Sequence, residues 1–272
     1  MQRKRQFEAV LLQFNFSLSK LRAMDINPLD ILAFFWFIAC WMGYTLFARR
    51  AAKKRNSLSS VLYRYRKEWV RKLSMSGMSE VDAEMLSALE KQVSFLASTC
   101  LLILASLVTV LSTASSMFMN LSSLWFVTEV PLYVVQLKLL VLIFIFVYGF
   151  FTFTWAIRQY GFCFILFGSS FHTVKYYQEA KNYKAVAANR DFEALTKVLD
   201  RAAHSYNYGI RAYYFAMAAM AWFINVWFFM AACAVIVFIL YRREFLSSSL
   251  RAMVAARMVD NVHDEDEIKF DN

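Results

Sequence analysis

Long apolar segments and polar, charged segments alternate along this chain. The apolar segments lie near residues 29–47, 93–111, 139–157 and 212–241. Each is long enough, at about 1.5 Å per helical residue, to cross most of a hydrocarbon core of about 30 Å. The strict alternation of apolar and polar residues that a membrane β-barrel needs is absent from them. The pattern predicts an all-α integral membrane protein, a helical bundle of about four transmembrane helices with amphipathic cytoplasmic helices.

The third and fourth apolar segments differ in how charged residues bound them. Nineteen uncharged residues separate Lys138 from Arg158, which matches one crossing. Thirty uncharged residues separate Arg211 from Arg242, roughly 45 Å as one straight helix and therefore longer than the bilayer core is thick. A strong tilt, a projecting helix or a break near Asn225 would accommodate the excess. We expect a single crossing here, because the arms of a hairpin would be short.

The charged segments between the spans indicate the orientation. Residues 49–92 hold eleven Lys or Arg residues against five acids, whereas residues 112–128 hold no Lys or Arg. Basic loops remain on the cytoplasmic side of a membrane, so residues 49–92 are expected there. Residues 49–92 and 172–208 both carry apolar side chains at helical spacing and are expected to form cytoplasmic amphipathic helices. Ser79, three residues before Asp82, is a candidate helix cap.

The two ends of the chain differ from the membrane domain, which we assign to residues 26–255. Residues 1–25 place apolar side chains on one helical face with basic residues around it, which predicts an amphipathic helix at the membrane interface. Residues 256–272 form an acidic tail. Overall, 60% of residues are apolar and the formal net charge is +10. Because the basic residues flank apolar spans, we assign them to anionic lipid head groups and not to nucleic acid.

Several segments together carry a resemblance to a known family. They are Cys40–Tyr44, Val93–Thr99, Phe153–Tyr160, Gly209–Phe215 and Leu240–Phe245, together with Trp69, Asp82 and Ser247. Over roughly residues 29–255 the chain resembles the multi-pass membrane proteins called domain of unknown function 599, which occur in bacteria and plants. The resemblance implies a helical membrane fold and supplies no activity and no catalytic residue.

The sequence does not contain the motifs that would indicate an enzyme. It has no HExxH, GxSxG or Walker motif, and no pair of carboxylates lies within a span. The three histidines lie outside the spans, and the four cysteines are widely separated with no CxxC pair. We therefore expect no catalytic residue, no metal site, no cofactor and no enzymatic activity.

The second span carries a stripe of small side chains. Its members recur at steps of three, four or seven residues and are Ser98, Ala105, Thr109, Ser112 and Ser116. Such a stripe lets another helix approach closely, or it lines a narrow polar path through an oligomer. The sequence leaves both interpretations open.

Other polar residues near the membrane boundaries are further candidates. Asp30 and Lys138 share a predicted depth near the outer surface and form a candidate ion pair, with two separately solvated charges as the alternative. Arg158 and Arg211 lie at the cytoplasmic boundary and are candidate contacts for an anion or a lipid head group, or alternatively topology anchors. Asn225 is a candidate polar site in the last span, or else it bridges helices or marks a kink.

Two functions remain as hypotheses for a protein that we expect in the bacterial inner (cytoplasmic) membrane. The first is an oligomeric channel or transporter-like protein for a small ion or polar solute, supported by the stripe and the long last apolar segment. The alternative is a non-transporting membrane module that binds partner proteins or anionic lipid through its basic amphipathic helices. We expect a bilayer with anionic head groups, a homo-oligomer and a possible protein partner, and no nucleic acid.

Overall fold

The computed structural model describes most of the chain as long helices. The described residues are 27–54, 57–76, 78–121, 131–177 and 184–256. The amphipathic segment 1–25 and all but the first residue of the acidic tail lie outside them. No strand occurs in the described ranges, and the predicted all-α class is confirmed.

Six long helices and two short elements follow one another along the chain. They are α1 (Pro28–Lys54), α2 (Leu58–Ser76), α3 (Glu80–Leu121), α4 (Leu132–Tyr177), α5 (Lys184–Met220), a 3-10 turn (Ala221–Phe223), α6 (Val226–Phe245) and α7 (248–256). In the described part of the chain, four helical segments are long and apolar enough to cross a membrane: Pro28–Ala51, Glu80–Ala114, Leu132–Gly168 and Val226–Ala256. The protein is therefore a helical membrane protein, as its apolar pattern predicts.

The predicted cap at Ser79 is confirmed, and it directly precedes the first residue of α3, Glu80. The Ser79 hydroxyl accepts a hydrogen bond from the Asp82 backbone N–H at 3.2 Å, and the Asp82 carboxylate accepts one from the Ser79 backbone N–H at 3.1 Å. The reciprocal pair satisfies donors that the first helical turn leaves open. The Trp69 indole N–H of α2 also donates to Asp82 at 2.9 Å, so the start of α3 is attached to α2.

Helices α4 and α5 pack antiparallel over most of their length. Gln159 of α4 meets Ser205 of α5 in a hydrogen bond, Phe153 lies against Gly209, and Lys138 reaches Trp222 just beyond α5. One face of the second half of α5 is buried against the other helices, while Met217 and Met220 are about half exposed on the opposite face. The residues of the buried face are at most 2% exposed: Ala212, Phe215, Ala216, Ala218 and Ala219. Small alanine side chains let the neighbouring helices approach α5 closely.

The last apolar segment is not one straight helix, so the predicted single crossing over residues 212–241 is wrong. Helix α5 ends at Met220, and α6 begins after Asn225, whose backbone is extended (φ −159°, ψ 147°). The Asn225 side chain accepts a hydrogen bond from the Trp227 backbone N–H at 2.8 Å. This cap satisfies one of the first donors of α6, so the helix can begin anew here and the chain can reverse.

Contacts with α1 show the direction of each arm. Trp222, just after α5, contacts Asp30 at the start of α1, whereas Tyr208, earlier in α5, contacts Arg49 near the end of α1. Helix α5 is therefore antiparallel to α1. Helix α6 runs parallel to α1, because Met230 meets Trp36 and Tyr241 meets Phe47.

Within the described ranges the chain consequently passes through the bundle five times, in α1, α3, α4, the second half of α5 and α6. We call the two ends of the bundle the Asp30 end and the Arg49 end. Helix α6 returns to the Arg49 end, where its Glu244 contacts Ser59 of α2. The last described residues therefore lie at the same end as α2.

Candidate functional site

A cleft of about 1040 Å³ opens at the Arg49 end of the bundle. Its walls come from the end of α1, the first turn of α2, the middle of α4 and α5, and Glu244 near the end of α6. These elements meet because α4 and α5 continue beyond the apolar spans, while α1 and α6 end there. The cleft lies between the apolar bundle and the polar helices that extend from it.

Three arginines, Arg49, Arg201 and Arg211, line this cleft. The Arg49 guanidinium donates to the Tyr208 hydroxyl at 2.7 Å and lies 5.2 Å from the centre of the Tyr208 ring. The Arg211 guanidinium lies 5.1 Å from the ring centre of Tyr44. Stacking on aromatic faces holds a guanidinium in place and leaves its N–H groups available. Within the described ranges, none of the three arginines has a carboxylate within 4.0 Å.

The two carboxylates among the described residues of the cleft have other partners. Asp200 forms an ion pair with Arg66 of α2 at 2.6 Å, and both side chains are about one fifth exposed. Glu244 accepts a hydrogen bond from the Ser59 backbone N–H at 3.1 Å, in the first turn of α2. A helix N-terminus favours a nearby negative charge. Neither acid lies within 4.0 Å of the three arginines in the described part of the chain, so no carboxylate occupies the N–H groups of those guanidinium groups.

Gln159 adds an open hydrogen-bond donor to the cleft. Its side chain is buried, with only 5% of the residue exposed, and it lines the cleft. Its carbonyl oxygen accepts from the Ser205 hydroxyl at 3.4 Å, and no partner for its NH₂ group occurs among the described residues. Either orientation of the amide leaves one end open. Among the described residues, Arg66 Nε is the one buried side-chain atom without a partner, so the Gln159 NH₂ group is accessible to solvent from the cleft.

The structure separates the two arginines that the sequence offered as anion contacts. Arg211 lines the cleft, whereas Arg158 is exposed on another face of α4 with its guanidinium 5.8 Å from the Phe162 ring centre. Arg158 and Arg211 both flank apolar segments, but of the two only Arg211 lines the cleft. Arg211 therefore remains a candidate contact for a lipid head group, together with Arg49 and Arg201 of the same cleft.

Asp30 and Lys138 are brought together at the opposite end of the bundle. The Lys138 ammonium lies 3.4 Å from the Asp30 carboxylate, and their side chains are 6% and 7% exposed. The Trp222 indole N–H donates to Asp30 at 2.7 Å, and Lys138 donates to the Trp222 carbonyl at 3.1 Å. The charges are therefore buried as a pair and not separately solvated. Asn225 lies just beyond this cluster, where its side chain caps α6.

The stripe of small residues on α3 faces outward. Ser98, Ala105, Thr109 and Ser112 are exposed, while Ser116 belongs to α3 but its side chain lies outside the described part. The Thr109 hydroxyl donates to the Ala105 carbonyl of its own helix at 3.0 Å. In the described part of the chain no other helix covers the stripe, because the buried face of α3 carries other residues. That face contains Val93, Ala97 and Cys100.

Most residues of the cleft were not predicted from the sequence, although some of them lie in the segments that carry the family resemblance. Three of the segments that carry the family resemblance each supply a lining residue: Phe153–Tyr160 supplies Gln159, Gly209–Phe215 supplies Arg211, and Leu240–Phe245 supplies Glu244. Arg49 and Arg201 lie in basic segments that contain many other cations, so their positions carried no such signal.

The fold and the cleft together define a multi-pass α-helical membrane protein with a basic cleft where the bundle meets its polar helical extensions. The family model described as a protein of unknown function, DUF599, matches residues 32–249. The chain belongs to this family, and the resemblance stated from its sequence is confirmed. A search of curated proteins and a search of solved structures each found no match.

Proposed function

We propose that this protein is a non-transporting membrane module, not an enzyme, that binds a phosphate-bearing anion in the cleft at the Arg49 end. The single observation that supports this proposal is the set of three arginines without carboxylate partners among the described residues. The positive-inside rule places this end in the cytoplasm. We infer that the membrane is the bacterial inner membrane.

Phosphate chemistry suits the donors in the cleft. Arginine presents a planar set of N–H groups that matches the oxygens of phosphate, and such charge-assisted hydrogen bonds are stronger than neutral ones. The open amide of Gln159 supplies one more donor. The cleft volume of about 1040 Å³ is at the upper end of the range for ligand pockets, about 300–1,000 Å³. A ligand larger than inorganic phosphate therefore fits best.

The proposal is tested by comparing Arg211→Gln with Arg158→Gln in the purified, detergent-solubilised protein. The probes are sn-glycerol 3-phosphate and dihexanoyl-phosphatidylglycerol, with binding measured by calorimetry. Loss of a hydrogen bond to a charged group costs about 1.5–3 kcal/mol, so Arg211→Gln should weaken binding roughly 10- to 150-fold. Arg158→Gln is the matched control at the same end and should change the affinity by less than about twofold. Absence of saturable binding for both probes, or equal effects of the two variants, would refute the proposal.

Glu244 provides a test of opposite sign. Its carboxylate lies at the first turn of α2, beside the space that we assign to the anion. Glu244→Gln keeps an acceptor for the Ser59 N–H and removes one negative charge. Affinity should therefore rise by about 3- to 10-fold, equivalent to roughly 1 kcal/mol of screened repulsion. A weaker affinity in this variant would contradict the assigned position of the anion.

The channel hypothesis remains as a second candidate because the small-residue stripe of α3 is exposed. Copies of the chain that meet through this stripe would line a shared polar path. Purified protein in liposomes should then conduct ions, and Thr109→Leu should abolish the flux with folding intact. Val108→Leu, at an exposed neighbouring position, is the control. Such a stripe-dependent flux would overturn the non-transporting part of our proposal.

A further inference from the structure

We infer that the ligand of the cleft is an anionic membrane lipid, which enters from the bilayer with its head group in the cleft and an acyl chain along α4. This inference rests on the proposed function and adds the source of the ligand. A lipid and a soluble phosphate ester share the same anionic chemistry. They differ in whether an apolar surface must adjoin the arginines.

Trp155 provides that apolar surface. It lines the cleft, yet it is 52% exposed and lies within the apolar segment Leu132–Gly168 of α4. It precedes Gln159 by four residues, which places both side chains on the same helical face about one turn apart. Trp155 is closer to the Asp30 end than Gln159 is, and it therefore lies deeper in the membrane than Gln159. The cleft therefore continues from its polar interior onto the lipid-facing surface of the bundle.

A path for an acyl chain continues beyond Trp155 along the same face. Phe144, Tyr148 and Phe151 are 71%, 45% and 65% exposed, and with Trp155 they recur at steps of four, three and four residues. This spacing places the four aromatic side chains on one stripe about 16 Å long. Tyr148 contacts Trp41 of α1 edge-to-face, with ring centres 5.6 Å apart. The stripe therefore borders α1, whose end supplies one wall of the cleft.

The α1 wall leaves room for the lipid to enter. Ala48 and Ala52 line the cleft, and their small side chains occupy successive turns of α1 beside Arg49. The larger ring of Trp155 also lines the cleft. The positively charged side chains lie at the end of the apolar path and not along it. This order, apolar and then cationic, is complementary to an anionic lipid whose phosphate lies at the membrane surface.

The test compares the two probes on Trp155 variants. Dihexanoyl-phosphatidylglycerol carries the lipid chains, whereas sn-glycerol 3-phosphate carries only the anionic group. The short-chain lipid should bind the native protein about tenfold more tightly or better, and Trp155→Ala should remove most of that advantage. The affinity for glycerol phosphate should change by less than about twofold. Trp155→Phe retains apolar surface and should keep the lipid affinity within about threefold.

Trp227→Ala is the matched control, since Trp227 is 64% exposed and lies at the Asp30 end, just after the Asn225 break. It should alter neither affinity. Equal affinity of the two probes, or an unchanged lipid affinity in Trp155→Ala, would overturn the lipid inference while the Arg211-dependent binding of glycerol phosphate would still stand. Failure of both probes would instead refute the proposed function, so the two outcomes are distinguishable.

Discussion

Removing one member of the buried ion pair at the Asp30 end should strongly destabilise the bundle. Lys138→Met retains a side chain of similar length and removes the positive charge. Among the described residues, the Asp30 carboxylate then keeps the Trp222 indole N–H as its one side-chain partner. Both charged side chains are at most 7% exposed, so water cannot replace the lost ammonium. Breaking a buried pair costs about 3–5 kcal/mol, which is the expected loss in free energy of unfolding.

A double variant distinguishes a true pair from two independent charges. Asp30→Asn alone leaves the Lys138 ammonium buried with the Trp222 carbonyl, so its cost should also be large. Asp30→Asn with Lys138→Met removes both charges and retains an acceptor for the indole. Its cost should fall below the sum of the single costs by about 2 kcal/mol or more. A charge exchange is less informative, because a lysine at position 30 would present a donor to the indole donor.

The assay is reversible unfolding by dodecyl sulfate in mixed micelles, followed by circular dichroism. The matched control is Lys197→Met, because Lys197 and Glu193 form an ion pair at 3.2 Å whose side chains are 64% and 61% exposed. Surface pairs at this spacing contribute about 0.3–0.5 kcal/mol. If Lys138→Met costs no more than this control, or if the costs of Asp30→Asn and Lys138→Met simply add, then the two charges are separately solvated and our reasoning is wrong.

Three further predictions concern packing, capping and direction of the chain. Gly209→Ala should cost about 1–3 kcal/mol because its Cβ would overlap the Phe153 ring. Gly149→Ala should be neutral or gain up to about 1 kcal/mol, because its Cβ would lie 3.5 Å from the Cys100 sulfur in ordinary van der Waals contact; both variants are measured by thermal unfolding. Ser79→Ala should cost about 1 kcal/mol by removing the cap of α3, measured by the same method. Cysteines introduced at Ser79 and Ser247, in a background without the native cysteines, should react with a membrane-impermeant maleimide from the same face of sealed vesicles; labelling from opposite faces would contradict the reversal at Asn225.

The first three spans and the helical class could be predicted because a bilayer imposes a length on every helix that faces it. The segment 139–157 is bounded by a lysine and an arginine at a spacing that only one crossing explains. The Ser79 cap could also be predicted, because it depends on residues three positions apart. Each of these features is determined by neighbours in sequence, which a single sequence displays directly.

The reversal at Asn225 could not be predicted, because hydropathy does not separate a helix that faces lipid from one enclosed by other helices. Residues 212–223 are alanine-rich and aromatic and would suit either environment. The deciding contacts join Trp222 to Asp30, which lies 192 positions earlier. The first arm of the hairpin was expected to be short because its length was counted from Arg211. In the structure that arm is the end of a helix that begins at Lys184.

The cleft could be predicted only in part for a similar reason. Its cations come from positions as far apart as Arg49 and Arg211, and flanking an apolar segment does not determine which way an arginine faces. Arg158 and Arg211 looked equivalent in sequence. The antiparallel packing of α4 and α5 decides between them, since it turns Gln159 and not Arg158 toward the α5 face.

The two ends of the bundle differ in how their charged side chains are paired, and this difference is the reason that we propose a binding site at the Arg49 end. At the Asp30 end, Asp30, Lys138 and Trp222 satisfy one another, which leaves little for a ligand to bind. At the Arg49 end, Asp200 and Glu244 have their partners in α2. The three arginines of the cleft have no carboxylate partner among the described residues. Asp30 and Lys138 both hydrogen-bond to Trp222, which follows α5 in the chain. We expect these bonds to hold α5, and with it Arg211, at a fixed depth in the bundle. We therefore expect variants of Asp30 to weaken ligand binding only to the extent that they unfold or displace α5.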